Sequence, residues 1–90
     1  MVLIAEYTKE QFIKIEYESK DKEKILSYFK KYEPVAFTSE PLVDMFSDKQ
    51  IKDADNCYTD GFFTWYDSDI YYFEHYNLKL DEKFIKKILS

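Results

Sequence analysis

The sequence predicts a small α+β fold in which a mostly antiparallel sheet packs against two or three short helices. Three observations support it. Apolar and polar residues alternate over residues 12–18, apolar residues recur at steps of three and four over residues 20–32, and an Asp-Gly pair stands between two short aromatic runs. Because the chain has 90 residues, 46% of them hydrophobic, we expect one domain over residues 1–90 with a single core.

The first candidate element lies at residues 12–18, where two interpretations compete. The apolar residues from Ile13 to Tyr17 occupy every second position, which favours a half-buried strand. Thr8 and Gln11 have the spacing of a helix capping box, which favours a helix over Thr8–Ile15. Strand is the preferred interpretation, and the helix stays open as the alternative.

Residues 20–32 have the pattern of an amphipathic helix. Its apolar face is formed by Ile25, Leu26, Phe29 and Tyr32. Ser19 can cap the start of this helix. Pro34 sets its end, because the residue before a proline resists the helical region.

The next part of the chain predicts short strands at Val35–Thr38 and Leu42–Phe46. Ser47, Asp48 and Lys49 form a plausible turn before Ile51. Residues 52–56 are polar and are predicted to form a loop.

A β-hairpin is predicted at residues 57–66. Its centre is Asp60-Gly61, because both central positions of a type I′ turn require positive φ and Asp-Gly meets that need. A helix of about two turns follows, with Asp67 or Ser68 as its cap.

The last predicted helix is capped by Asp81 and follows an extended link at residues 78–80. Its apolar face comprises Phe84, Ile85, Ile88 and Leu89. Lys86 and Lys87 lie near its C-terminus, where the helix dipole favours positive charge.

Charge is distributed unevenly along the chain. Residues 34–78 carry two lysines and nine acidic residues, and the chain contains no arginine. Direct binding of nucleic acid requires a cluster of cations on the protein, so we expect none. An acidic surface instead favours a basic protein partner and steers its approach.

No pattern for catalysis or for metal and cofactor binding is recognisable in the sequence. His75 has no partner at a catalytic spacing, and Ser68 is better explained as a helix cap than as a nucleophile. Asp53, Asp55 and Asp60 lack the glycine and glutamate positions of a calcium-binding loop. We therefore expect a protein that is not an enzyme and that binds no metal or cofactor.

The sequence also shows no recognisable signal peptide or membrane span. The apolar run at residues 2–5 is too short for a signal-peptide core or a membrane span. The single Cys57 cannot form an internal disulfide, so nothing indicates an oxidising compartment. A cytoplasmic protein without membrane contact is the expectation.

The aromatic tract at residues 58–76 is the candidate binding surface. It holds nine aromatic residues and no lysine or arginine, and a helix of two turns is too short to bury all of its tyrosines. Aromatic rings beside carboxylates suit lysine and arginine side chains of a partner. The predicted contact residues are Asp60, Trp65, Asp67, Asp69, Tyr71, Tyr72 and Glu74, with the core as the alternative place for Trp65.

Residues 59–85 resemble a module at the C-terminus of many small, uncharacterised bacterial proteins. The matching positions are Asp60, Gly61, Trp65, Tyr72, Leu80 and Phe84. Asp81 stands where the module usually has a proline. Some relatives of the module have a Cys-x-x-Cys motif upstream, and this sequence has none. The resemblance implies an accessory protein of toxin, immunity or phage-defence loci and names no chemistry.

Two functional hypotheses follow. The first is a small acidic inhibitor that binds a basic protein, either an immunity protein or antitoxin against a nuclease toxin, or a phage-encoded inhibitor of a nuclease defence system. The second is a homo-oligomerising accessory module without enzymatic activity, in which a symmetric homodimer would bury the exposed tyrosines.

Overall fold

The computed structural model describes residues 2–90 and contains six strands and three helices within that range. In chain order these are β1 (Val2–Leu3), α1 (Ser19–Phe29), β2 (Ala36–Thr38), β3 (Leu42–Val43), β4 (Gln50–Lys52), β5 (Asp55–Thr59), β6 (Phe63–Tyr66), α2 (Asp67–Tyr76) and α3 (Glu82–Leu89). Four strands form one sheet in the order β1-β6-β5-β2, and β3 pairs with β4. The predicted α+β class is confirmed. Only β1 runs parallel to its neighbour.

The core joins the four-stranded sheet to all three helices. Trp65 of β6 is completely buried at its centre. Its ring centroid lies 5.5 Å from that of Phe29 in α1 and 5.6 Å from that of Phe84 in α3. Phe73 of α2 packs against Phe29 at 6.0 Å. These aromatic contacts fix the three helices on the four-stranded sheet.

Residues 8–18 form neither the predicted strand nor the predicted helix. Thr8 and Gln11 make a single turn, in which the Gln11 amide donates to the Thr8 carbonyl. Beyond it the chain is extended and pairs with the link between α2 and α3, where the Lys79 amide donates to the Ile13 carbonyl at 2.8 Å. The predicted burial of one side is confirmed for Ile15 and Tyr17, which are half-buried, and is wrong for Ile13, which is 56% exposed. Among residues 2–90 this segment makes one isolated antiparallel bridge, between Lys14 and Leu78, instead of a ladder.

Both termini of α1 differ from the prediction. Ser19 is its first residue, so the capping position belongs to Glu18, and the helix ends at Phe29. Helix α3, the last in the chain, has the predicted cap, since the Asp81 carboxylate accepts hydrogen bonds from the Lys83 and Phe84 amides.

The start of α2 is capped from outside the helix. Asp67 is its first residue, so neither Asp67 nor Ser68 has the predicted capping role. Asp55 of β5 accepts from the Ser68 amide at 3.0 Å and from its hydroxyl at 2.9 Å. Asp69 accepts from the Tyr66 amide at 2.8 Å. The helix is ten residues long, nearly one turn longer than expected.

The predicted strand at residues 42–46 is cut short by Asp44. Its Oδ1 atom accepts hydrogen bonds from the Phe46 and Ser47 amides, which bends the chain out of the extended conformation after Val43. The predicted turn follows, with Asp48 at a φ of 60°. The polar segment 52–56 is not wholly a loop, because β5 begins at Asp55.

The predicted hairpin is present, but its turn lies one residue further along the chain. The Asp60 amide donates to the Phe63 carbonyl at 3.2 Å, so Gly61 and Phe62 are the two central residues. Gly61 has a φ of 98°, and Phe62 is not among the residues with positive φ. Glycine at the first central position fits a type II′ turn instead of type I′.

No helix in residues 2–90 is long and apolar enough to cross a membrane.

We predict that Gly61→Ala lowers the free energy of unfolding by about 1–2 kcal/mol, because an L-residue is strained at this φ. A β-carbon at Gly61 meets no atom within 4 Å, so the loss arises from the backbone alone. D-alanine at the same position is the matched control and should leave stability unchanged or raise it. Urea unfolding measures both, and an equal loss for the two variants would contradict this explanation.

Candidate binding surface

The seven predicted contact residues do not form one exposed surface. Trp65, Asp67, Asp69 and Tyr72 are buried, and the side chain of Asp60 is 1% exposed. Tyr71 is half-buried, and Glu74 is exposed. The expectation that α2 is too short to bury its tyrosines is wrong for Tyr72. Trp65 occupies the core, which was its alternative place.

Asp44, which sequence analysis did not single out, explains how the tyrosines of α2 are covered. Its Oδ2 atom accepts hydrogen bonds from the hydroxyls of Tyr71 at 2.6 Å and Tyr76 at 2.7 Å. Burial alone would raise the pKa of Asp44, but these hydroxyls and the Phe46 and Ser47 amides outweigh it and hold the pKa well below the ordinary value. The only local indication of this role in the sequence is that Asp44 comes shortly before the predicted turn at Ser47 and Asp48.

The loop after β3 also binds Tyr72 directly. The Tyr72 hydroxyl donates to the Val43 carbonyl at 3.0 Å and accepts from the Met45 amide at 2.9 Å. Residues 42–46 therefore cover α2 through hydrogen bonds to three tyrosine hydroxyls.

Asp60 fastens the β5–β6 hairpin to two helices. Its carboxylate accepts from the Tyr28 hydroxyl of α1 and from Lys87 of α3, the latter at 2.8 Å. The Phe62 and Phe63 amides of the turn donate to the same group. Burial would raise its pKa, but these donors outweigh it and lower the pKa of Asp60.

Asp67 connects α2 to the strands that precede it. It accepts from the Tyr58 hydroxyl at 2.6 Å, the Asn56 amide at 3.0 Å and the Lys52 ammonium at 3.1 Å. Burial opposes ionisation, yet the three donors together keep the pKa of Asp67 below its ordinary value. The carboxylate is therefore ionised at neutral pH.

Asp69 differs from the other buried aspartates because fewer donors face it. The Tyr66 amide and the Tyr7 hydroxyl interact with its carboxyl group, while the charge of Asp55 lies nearby. Burial is the dominant influence and raises the pKa of Asp69 to about 7.

The acidic tract is consequently much less acidic on the outside than its sequence indicates. Five of the nine acidic residues between positions 34 and 78 are buried or half-buried. The exposed ones are Glu40, Asp48, Asp53 and Glu74, and the two lysines of this tract, Lys49 and Lys52, are exposed as well.

A shallow depression between the β3–β4 sheet and α2 brings three of the predicted residues together. Asp67, Tyr71 and Glu74 line it with Leu42, Ile51, Lys52 and Ile70, and its volume is about 160 Å³. The apolar side chains can contact the methylene groups of a ligand, while the two carboxylates can bind a cation. This arrangement suits a single lysine or arginine side chain.

A larger groove of about 760 Å³ runs beside β1 and contains none of the predicted residues. Residues 2–7 form one wall, and residues 78–83 form the other. Its exposed charges are mixed, since Lys79 lies 4.0 Å from Glu82. It therefore offers no charge preference for a basic partner.

The remaining reactive side chains have structural neighbours. His75 packs against Tyr71 with ring centroids 4.6 Å apart and ring planes tilted by 42°, and its Nε2 atom lies 3.6 Å from Glu74 Oε1. Cys57 is half-buried, with its Sγ atom 3.3 Å from the Thr64 hydroxyl. Residues 2–90 contain no group of three or more His, Cys, Asp or Glu side chains placed to hold a metal ion.

Comparison with known proteins gives no relative for this chain: no family model, no curated protein and no solved structure matches it. The resemblance of residues 59–85 to a bacterial module therefore stays a prediction.

We predict that replacing Tyr71 and Tyr76 together by phenylalanine shifts acid unfolding to higher pH. The low pKa of Asp44 stabilises the fold above the ordinary aspartate value, and this contribution is lost as pH falls below it. With two donors removed, the pKa of Asp44 rises and the loss begins earlier. Trp65 fluorescence during an acid titration measures the midpoint.

Tyr32→Phe is the control, because its hydroxyl donates to the Tyr28 hydroxyl at 3.2 Å and not to a carboxylate. It should leave the acid midpoint close to that of the unmodified protein. Equal midpoints for the double variant and the unmodified protein would show that Asp44 does not depend on these hydroxyls.

The free energy of unfolding of the unmodified protein should fall as pH rises, and Asp69→Asn should remove this pH dependence. Between the ordinary pKa of 3.8 and about 7, the native carboxyl retains a proton that the unfolded chain has released. Stability therefore falls as pH increases through this window, by about 2–3 kcal/mol between pH 5 and pH 8. Urea unfolding at the two pH values should show a flatter dependence for Asp69→Asn, and the exposed-site control Asp53→Asn should retain the full slope.

Proposed function

We propose that this protein is a small protein-binding inhibitor that receives one basic side chain of its partner in the depression beside Glu74. The observation that carries the proposal is the pairing of an apolar lining with two carboxylates, Asp67 and Glu74, at one concave place. A lysine or arginine has the matching division into an apolar stem and a charged end.

The apolar part of the depression supports the stem of such a side chain. Ile51 is 37% exposed, and Ile70 and Tyr71 are half-buried beside it. The hydroxyl of Tyr71 is held by Asp44, so its ring is fixed before a partner arrives. A pre-organised aromatic ring loses little conformational entropy on binding.

The charged part of the depression already binds a cation from the same chain. The Lys52 ammonium lies 3.1 Å from Asp67, and half of the Lys52 side chain is exposed. A partner's basic side chain can take this position while Lys52 returns to water. Glu74, with a side chain that is 51% exposed, provides a second carboxylate for the incoming charge.

The class of partner follows from charge and from the resemblance. The net charge of −5 favours a basic protein, and the module that residues 59–85 resemble belongs to toxin, immunity and phage-defence loci. We assign the chain to the immunity proteins or antitoxins that block a nuclease toxin, or to phage inhibitors of nuclease defence. In each case it acts by contact and performs no chemistry of its own.

The homo-oligomeric accessory module remains the second candidate. It is favoured by β2, an exposed strand at one edge of the four-stranded sheet.

Pentalysine is a suitable probe of the depression, and Glu74→Lys should weaken its binding at least about tenfold, because a like charge then faces the ligand. Chemical-shift titration measures affinity and should locate the largest changes at Ile51, Ile70 and Tyr71. Glu23→Lys on α1 makes the same change in net charge and should weaken binding much less.

Equal weakening by Glu74→Lys and Glu23→Lys would mean that the probe responds only to net charge, which would contradict the assigned site. The inhibitor class is tested by co-expression with the product of the adjacent gene. Protection by the unmodified chain and loss of protection with Glu74→Lys are the expected results.

A further inference from the structure

One edge of the four-stranded sheet is formed by β2, whose free side has backbone groups without partners. The direction in which the amides and carbonyls of β2 point follows from the way β5 pairs with β6. The Asp60 amide donates to Phe63 of β6, and the Asn56 amide points the same way, to Asp67. Alternate residues of β5 therefore face β6, and the residues between them face β2.

The residues of β5 that face β2 are Asp55 and Cys57, which pair with Thr38 and Ala36. The amide and carbonyl of Phe37, between those two, consequently point away from the sheet. Within residues 2–90 they have no backbone partner outside the β2–β5 ladder. An unpaired donor and acceptor on one extended residue can bond reciprocally to the same groups of another strand.

The side chains of this edge include Phe37, the most exposed of the large apolar residues described in the chain. Phe37 is 70% exposed and Val35 is 64% exposed, and Ala36 and Thr38 are exposed as well. Pro34 and Pro41 stand on either side of this segment, and proline cannot donate to a ladder. Pairing is thereby confined to a short stretch.

The charges around β2 favour a second copy of the same chain. The exposed charged residues on its two flanks are Lys30, Lys31, Glu33 and Glu40, which sum to zero in a protein of net charge −5. Antiparallel pairing brings the flank with both lysines towards Glu40 of the other copy. Parallel pairing would place the two lysine-rich flanks together.

We propose that β2 pairs antiparallel with β2 of a second copy, around a two-fold axis at Phe37. Each Phe37 amide then donates to the Phe37 carbonyl of the other copy, and the two rings lie side by side on one face of a continuous eight-stranded sheet. Val35 lies opposite Ser39 of the second copy. This contact is separate from the depression beside Glu74, so the two proposals can fail independently.

The dimer is expected to be weak. A contact between two strands of three residues buries less than the about 1,200 Å² of a stable interface. We therefore expect a dissociation constant of about 10 to 300 µM, at the weak end of specific association. Because two copies of net charge −5 repel one another, raising the salt concentration should strengthen association.

Hydrogen exchange at increasing protein concentration tests the strand pairing directly. The amide of Phe37 should exchange at least about threefold more slowly at 1 mM than at 10 µM protein. The amide of Leu3, which faces away from β6 at the opposite edge, should keep the same rate. Protection of Leu3 in place of Phe37 would overturn the proposal, and so would sedimentation as a monomer at 1 mM.

Matched substitutions test the ring contact. Phe37→Gln should weaken dimerisation at least about tenfold in sedimentation equilibrium. Phe62 is also a phenylalanine, 69% exposed, in the turn between β5 and β6 and away from β2, and Phe62→Gln should leave the dimer unchanged. Equal effects of the two substitutions, or no effect of Phe37→Gln, would overturn the proposed interface. Both positions are exposed, so each variant should fold.

Discussion

Buried aspartates held by tyrosine hydroxyls are the interaction on which the rest of this structure depends. Asp44 binds two such hydroxyls, and Asp60 and Asp67 bind one each. A buried carboxylate without donors is strongly unfavourable, and this chain has no arginine to supply them. Tyrosine meets the need because its ring fills the core while its hydroxyl donates. Burial and the neighbouring carboxylate raise the pKa of the Tyr58 hydroxyl, which therefore stays protonated.

Each of these pairs connects elements that are distant in sequence, so together they determine the shape of the surface. Asp44 attaches the loop after β3 to α2, and Asp60 attaches the hairpin turn to α1 and α3. Asp67 holds β4, β5 and α2 together. The depression beside Glu74 lies between the parts that Asp44 and Asp67 connect. Its walls are therefore fixed by hydrogen bonds within the protein, without a partner.

Local chemistry allowed much of the fold to be predicted, and long-range pairing limited the prediction of the site. The hairpin and the last helix were recognisable because Gly61 adopts the positive φ that the turn requires and Asp81 accepts hydrogen bonds from nearby amides. Tyr71 and its acceptor Asp44 are 27 residues apart, and no local pattern reveals that they meet. The tract at residues 58–76 was therefore interpreted as an exposed aromatic and acidic surface. Its carboxylates instead face tyrosines inside the molecule, which leaves Glu74 as the exposed member of the predicted set.

The same internal pairing explains how Asp67 could exchange one cation for another without loss of structure. Its carboxylate is bonded to the Tyr58 hydroxyl and the Asn56 amide independently of Lys52. When Lys52 leaves, two donors still satisfy the carboxylate, so α2 stays attached to β5. Because the pKa of Asp67 is low, the group also keeps its charge during the exchange. In the proposed function, a partner's basic side chain would compete only with one half-exposed lysine, and the depression beside Glu74 would need no rearrangement of the fold.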